Sequence, residues 1–267
     1  RGRVDLRNHR KSLILDNRVA WIGSQNVADP QFRIKPKFAP WVDIMTRWAG
    51  PVALQAQCLF AADWMSEGGE DLSKLLTAPP PPKAGTIVAQ VIGTGPSLRY
   101  DAMPTVFDQL IHSARRELVI TTPYFVPDEM LLYAIMTTAR RGVRTVLILP
   151  ERIDSRIVAA TCKSYFGDLL DAGVELYLFR PGLLHSKTMI ADGSVGLVGS
   201  ANLDRRSFEL NFENNVLFAD EAFARQVRER QEDYLRQSRR VTAEDVSAMG
   251  LGERLWSNFM AMMSPLL

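Results

Sequence analysis

One short alternation of apolar and polar positions occurs twice along the chain. An apolar strand over Lys11–Leu15, a polar turn at Asp16-Asn17 and a return strand over Arg18–Ile22 read as a β-hairpin. The pattern returns in the second half with Asp192-Gly193 as the turn, a stronger hairpin dipeptide. After the first hairpin, residues 36–50 read as a loop and a strand. A helix opened by Pro51 follows, with Leu54, Cys58, Ala61 and Ala62 on one side, and Trp48, Phe60 and Trp64 are assigned to the core. From residue 86 onward strands alternate with helices: strand over 86–97, helix over 105–117, strand over 117–122, helix over 128–142, strand over 143–150, helix over 156–173 and strand over 174–181. A further strand over 214–220 leads into an Arg-rich helix from Glu221, read as a solvated outer face. Helices alternating with short apolar strands predict an α/β layered sandwich. The four prolines at 79–82 fit neither a helix interior nor a central strand, so the stretch around them reads as a linker.

Composition narrows the classes. With 267 residues and 46% hydrophobic positions the chain buries a core. A net charge of +2, from 32 basic and 30 acidic residues, provides no global field to attract nucleic acid. Cys58 and Cys162 lack the paired spacing of a zinc or redox motif and read as buried thiols. No apolar run is long enough to span a bilayer, and the chain opens at Arg1-Gly2-Arg3 without a methionine, so a fragment is expected, with upstream segments out of view.

Chemistry enters with what each hairpin carries. His9, Lys11, Asp16, Gly23, Ser24 and Asn26 follow the order H-x-K-x4-D-x6-G-S-x-N, and His185, Lys187, Asp192, Gly199, Ser200 and Asn202 repeat it with identical spacing. His and Lys two apart share a strand face, and folding the hairpin brings small polar donors near them. His112, the third histidine, sits in a helical pattern without a useful neighbour and reads as structural.

Two such kits suit phosphodiester chemistry. The lysines, with Ser24, Asn26, Ser200 and Asn202, neutralise the nonbridging oxygens. One neutral histidine attacks phosphorus to give a phosphohistidine, and the other protonates the leaving alkoxide, then deprotonates the incoming alcohol or water. A nucleophilic imidazole needs a carboxylate on its other nitrogen, for which Asp43 and Glu213 are the candidates. Asp16 and Asp192, at the turns, read as scaffolding of the site. No metal cluster accompanies the kits, since two histidines far apart in sequence with lysine neighbours make poor cation ligands.

The paired His-Lys-Asp sets His9-Lys11-Asp16 and His185-Lys187-Asp192 resemble the duplicated HKD motif of the phospholipase D superfamily. Within it, the stretches GSQNVADP, GPVALQAQCLFAADW, VIGTGPS, ITTPYFVPDE, SANLDRRSFELNFE and the terminal SPLL resemble the bacterial cardiolipin synthase family. The resemblance implies two pseudo-symmetric α/β sandwich halves sharing one active site. The end of a first half would occupy 1–75, the Pro-rich linker 76–85, and a second half 86–267. It implies a cofactor-free phosphatidyltransferase that joins two phosphatidylglycerol molecules into cardiolipin and glycerol at a bacterial membrane. It further implies His9 as nucleophile backed by Glu213, and His185 as acid/base backed by Asp43. Tyr124 and Phe125 would line the lipid entrance, and Arg205 and Arg206 a lipid phosphate. Two alternatives are a phosphodiesterase hydrolysing phospholipid or nucleic acid, and a noncatalytic scaffold on the same fold.

Overall fold

The computed structural model describes residues 6–31, 36–96 and 101–263. The opening Arg1-Gly2-Arg3, Ser97 of the VIGTGPS stretch and the terminal SPLL lie outside the described residues. A nine-stranded mixed sheet organises the fold. At its centre Glu117–Thr121, Arg144–Pro150 and Glu175–Phe179 run parallel. Helices Glu129–Arg140, Arg156–Ser164 and Phe166–Asp171 form the crossovers between them, as parallel pairing requires. On one side the sheet continues antiparallel through Thr188–Ala191, Val195–Gly199, the long strand Asn211–Ala219 and Val88–Thr94. Beside it the first hairpin, Ser12–Leu15 and Val19–Gly23, joins Met45–Ala49 in a three-stranded antiparallel sheet.

Side-chain alternation divides the large sheet into two faces. Met189, Leu197, Leu118 and Ile120 point to one, where they pack with Phe107, Leu131 and Ile135 of the covering helices. Ile190, Val198, Val216 and Phe218 point to the other, and meet Ala20, Ile22 and Trp48 of the small sheet together with Ala53 and Ala56 of helix Pro51–Ser66. Each fully buried side chain of this size contributes about 1.5–3 kcal/mol of transfer free energy, so this shared layer fastens the first hairpin to the second. Helix Glu221–Arg236 lies on the same face. It buries Ala224, Val227, Gln231 and Tyr234 and turns most of its arginines outward.

The two turns share one geometry. Asp16 and Asn17 have φ of 53° and 55°, and Asp192 and Gly193 have 52° and 67°. Both are left-handed pairs that match the twist of a two-residue hairpin. Gly23 and Gly199 are close-approach positions, where a Cβ would fall 2.1 Å from the Ile44 carbonyl oxygen and 2.0 Å from Asn215 Oδ1.

Four sequence expectations need correction. Phe60 and Trp64 are exposed and stack on one another at 5.9 Å instead of entering the core. Their helix buries the small side chains Ala53, Ala56 and Ala61 together with Gln57, which allow close approach to the sheets, and leaves Ala62 outside. The helix expected over 156–173 breaks at Tyr165 into two. Cys162 is buried, but Cys58 is only half-buried.

Candidate active site

Two short parallel pairings place the histidines. Arg7–Asn8 pairs with Asn211–Phe212, and Leu183–Leu184 pairs with Trp41–Val42. The His9 amide then donates to the Phe212 carbonyl (2.9 Å) and the His185 amide to the Val42 carbonyl (2.8 Å). The segment before each H-x-K thus runs beside the segment before the other repeat's acid, and each histidine meets the carboxylate of the opposite repeat. Nδ1 of His9 bonds both oxygens of Glu213 (2.9 and 3.0 Å), and Nδ1 of His185 bonds Asp43 at 2.5 Å. An ionised carboxylate only accepts, so each Nδ1 carries a proton and each Nε2 is the nitrogen left for chemistry.

Other contacts recur on both sides. The Lys11 ammonium donates to the His9 carbonyl (2.5 Å) and the Lys187 ammonium to the His185 carbonyl (2.6 Å). The Ser24 hydroxyl donates to Asp43 (2.7 Å) and accepts from the Ile44 amide; the Ser200 hydroxyl donates to Glu213 (2.5 Å) and accepts from the Asn214 amide. The His and Lys positions lie just ahead of strands Ser12–Leu15 and Thr188–Ala191, not inside them.

The cluster is dry on one side. His185 is buried and His9 is half-buried. Burial, the Lys187 charge and the Lys11 charge push His185 down to about 4 against the pull of Asp43, so its imidazole is neutral in the empty site. Burial would raise the Asp43 carboxyl, but the hydrogen bonds from His185 and Ser24 and the Lys187 charge hold it below its ordinary value. Burial lowers Lys11 to about 8 and Lys187 to about 7, although Glu213 and Asp43 attract both charges. The Lys11 charge lowers Lys187 further.

The remaining candidates fall in different places. Asp16 is exposed at its turn, and Asp192 accepts from the backbone amides of Arg115, Arg116 and Glu117 at 2.7–2.9 Å. Asp192 therefore ties its turn to the start of a central strand, and neither aspartate joins the cluster. Direct phosphate binding by Ser24 and Ser200 does not fit their hydrogen bonds, since each hydroxyl is donated to a carboxylate. Asn26 is half-buried, with its carbonyl accepting from the Ala28 amide. Asn202 is buried, and its amide donates to Asp204 (3.1 Å). Phe125 is core, packed edge-on against Tyr165, and the Tyr124 hydroxyl donates to Asp154 (2.7 Å). Arg205 pairs with Glu209 within one helical turn. His112 has a carboxylate after all, Asp108 one turn earlier at 3.4 Å.

Sequence reasoning missed Asp204, a buried carboxyl raised by burial that caps helix Arg205–Glu209 and lies close enough to attract the Lys187 charge. It has no aspartate counterpart in the first repeat, where Ala28 stands at that spacing, so the repeat gave no signal for it. Also missed were Asn211, which donates to Glu213 (3.1 Å), and Trp41, whose ring lies 4.9 Å from that of His185. Among the described residues, no group of three or more His, Cys, Asp and Glu side chains is disposed to hold a metal ion.

Known proteins resemble this chain to different extents. The family model described as "Cardiolipin synthase, PLD-like domain" matches residues 107–234. Cardiolipin synthase A of Erwinia tasmaniensis is 39% identical over 274 residues, covering 99% of this chain and 55% of that protein. The corresponding protein of Pectobacterium carotovorum is 38% identical with the same coverage. The chain thus spans about half the length of the curated relatives it matches. Among solved structures, a phosphatidylserine synthase from Haemophilus influenzae superposes with a TM-score of 0.68 at 14% identity, over 97% of this chain and 69% of that one. A phospholipase D family member, Nuc from Salmonella typhimurium, gives 0.51 at 20% identity, over 59% of this chain and all of that one. The structural likeness establishes the fold, and within it residues 107–234 match the phospholipase D-like domain of the cardiolipin synthase family.

Proposed function

We propose that the chain forms the catalytic centre of a phosphatidyltransferase that makes cardiolipin from two phosphatidylglycerol molecules at a bacterial membrane and releases glycerol. The observation that carries the reading is the exchange of carboxylates between two equivalent histidines. It gives two oriented imidazoles, one for attack and one for proton transfer, beside two cations. Relatives named cardiolipin synthase A favour this donor and acceptor. Residues 1–75 and 86–267 act as the two contributing halves, joined by the linker at 76–85.

In the first step His9 Nε2 forms a bond to the phosphorus of one phosphatidylglycerol while the bond from phosphorus to the glycerol headgroup oxygen breaks. That oxygen leaves with a proton from His185. In the second step His185 takes the proton from a headgroup hydroxyl of the other phosphatidylglycerol. The freed oxygen attacks phosphorus, the phosphorus–His9 bond breaks, and cardiolipin results. Glu213 steadies the phosphorylated imidazolium, and Lys11 and Lys187 neutralise the nonbridging oxygens. His185 is neutral in the empty site. A bound phosphodiester offsets the lysine charges that repel its proton, which shifts His185 toward the acid form when substrate is in place.

Lipid mass spectrometry of protein incubated with phosphatidylglycerol vesicles tests the reading. Cardiolipin and glycerol are expected in equal amounts, and both vanish in His185→Ala. Phosphatidic acid without cardiolipin would make water the acceptor, and cleavage of single-stranded DNA without lipid turnover would replace the lipid substrate altogether.

A further inference from the structure

Helix Leu251–Met262 is amphipathic in an inverted sense. Ser257 and Met260 are its buried positions, whereas Leu251, Leu255, Trp256, Phe259, Met262 and the following Met263 are exposed. At 100° per residue those six side chains fall within a single arc of about 140° on the side away from the buried pair. Trp256 and Phe259 are exposed by 52% and 53%, their rings 6.3 Å apart, so the arc presents a continuous apolar surface. Isolated exposed apolar residues need no explanation, but a contiguous aromatic and aliphatic face does.

The position of the helix indicates what covers that face. It packs along helix Arg156–Ser164, and Lys163 at the end of one pairs with Glu253 at the start of the other (2.7 Å), so the two run antiparallel. The Met262 end therefore lies toward Arg156 and Ile157, and Ile157 is itself exposed. Just before them, Asp154 accepts from Tyr124 in the loop after strand Glu117–Thr121, whose Thr121 bonds Thr188 beside Lys187. The apolar arc thus runs toward the end of the sheet that carries the histidines. Charge favours an anionic partner. Lys163 and Glu253 cancel as a pair, and the two helices carry Arg156 and Arg254 beyond it with no further acidic residue.

We infer that helix Leu251–Met262 is an interfacial helix that lays Leu255, Trp256 and Phe259 into the surface of an anionic phospholipid bilayer. An apolar face containing tryptophan and flanked by basic residues has the make-up of helices that lie in the headgroup region. The inference stands on the helix and not on the proposed reaction.

Sedimentation of the 267-residue chain with sucrose-loaded vesicles tests it. Binding to mixed phosphatidylcholine and phosphatidylglycerol vesicles is expected to exceed binding to phosphatidylcholine alone. The double variant Leu255→Asp/Phe259→Asp should bind at least about 30-fold more weakly, the loss that follows from leaving two such side chains out of the apolar phase. Both positions are exposed, so its melting temperature should stay at the wild-type value. Leu13→Asp, an exposed apolar site on the first hairpin, should bind vesicles as wild type does. Wild-type binding by the double variant overturns the inference. So does self-association that the double variant abolishes while vesicle binding persists, which would assign the face to a second copy. Because the readout is partitioning, a failed turnover assay leaves the result intact.

Discussion

Glu213 holds the imidazole of His9 from 204 positions away, with both carboxylate oxygens within 3.0 Å of Nδ1. Asp43 does the same for His185 across 142 positions. Glu213→Gln keeps the shape and can still meet Ser200, but it removes the charge that steadies a phosphorylated imidazolium and no longer fixes the tautomer. Turnover is expected to fall about 10²–10⁴-fold with little change in melting temperature. A variant that loses activity only in proportion to lost folded protein would make Glu213 a packing residue.

The division of labour between the histidines has its own test. A phosphodiester with a nitrophenolate leaving group needs no general acid. His185→Ala should therefore release close to one equivalent of nitrophenolate per protein and form a covalent adduct, whereas His9→Ala should release none. A burst from His9→Ala, with adduct on His185, would reverse the two roles.

Asp192 is expected to matter for stability rather than chemistry. Its carboxylate caps three backbone amides, and Asp192→Ala should cost about 1–3 kcal/mol in denaturant unfolding while leaving turnover per folded molecule near wild type. A loss in turnover of 10²-fold with unchanged stability would place it in the chemistry.

The lysines make anion binding depend on protons. Lys187 sits at about 7 and Lys11 at about 8, so at pH 8 the empty site holds less than its full positive charge. A bound phosphate favours the ammonium forms, and calorimetry of inorganic phosphate binding at pH 8 should show proton uptake as a dependence on buffer ionisation enthalpy. Equal enthalpies in two buffers would refute it. The same depression has a sign in folding. Between about 7 and the ordinary 10.5 the unfolded chain binds the Lys187 proton and the folded chain does not, so this residue makes stability rise with pH across that window. Lys187→Met should flatten the rise in melting temperature between pH 7 and pH 9.

Local chemistry was readable in the chain, and long-range partnership was not. The Asp16-Asn17 and Asp192-Gly193 turns and their flanking strands follow from residues within a few positions of each other, as does the strand and helix alternation from residue 117 onward. The duplicated spacing marked His9 and His185 as a pair. Which serine serves which carboxylate depends on the approach of Ile44 to Gly23 and of Asn214 to Gly199, set by pairings that no local pattern encodes. Asp204 escaped notice because it belongs to one repeat only. Phe60 and Trp64 misled because their size suggested the core, whereas the helix reaches the sheets through alanines.

The reciprocal pairing of Arg7–Asn8 with Asn211–Phe212, and of Leu183–Leu184 with Trp41–Val42, makes the site behave as a logical conjunction. If either repeat is out of place, the other loses its carboxylate partner too, so a misfolded chain has no half-active state that attacks phosphodiesters indiscriminately. Reactivity switches on once, when both strands have found each other.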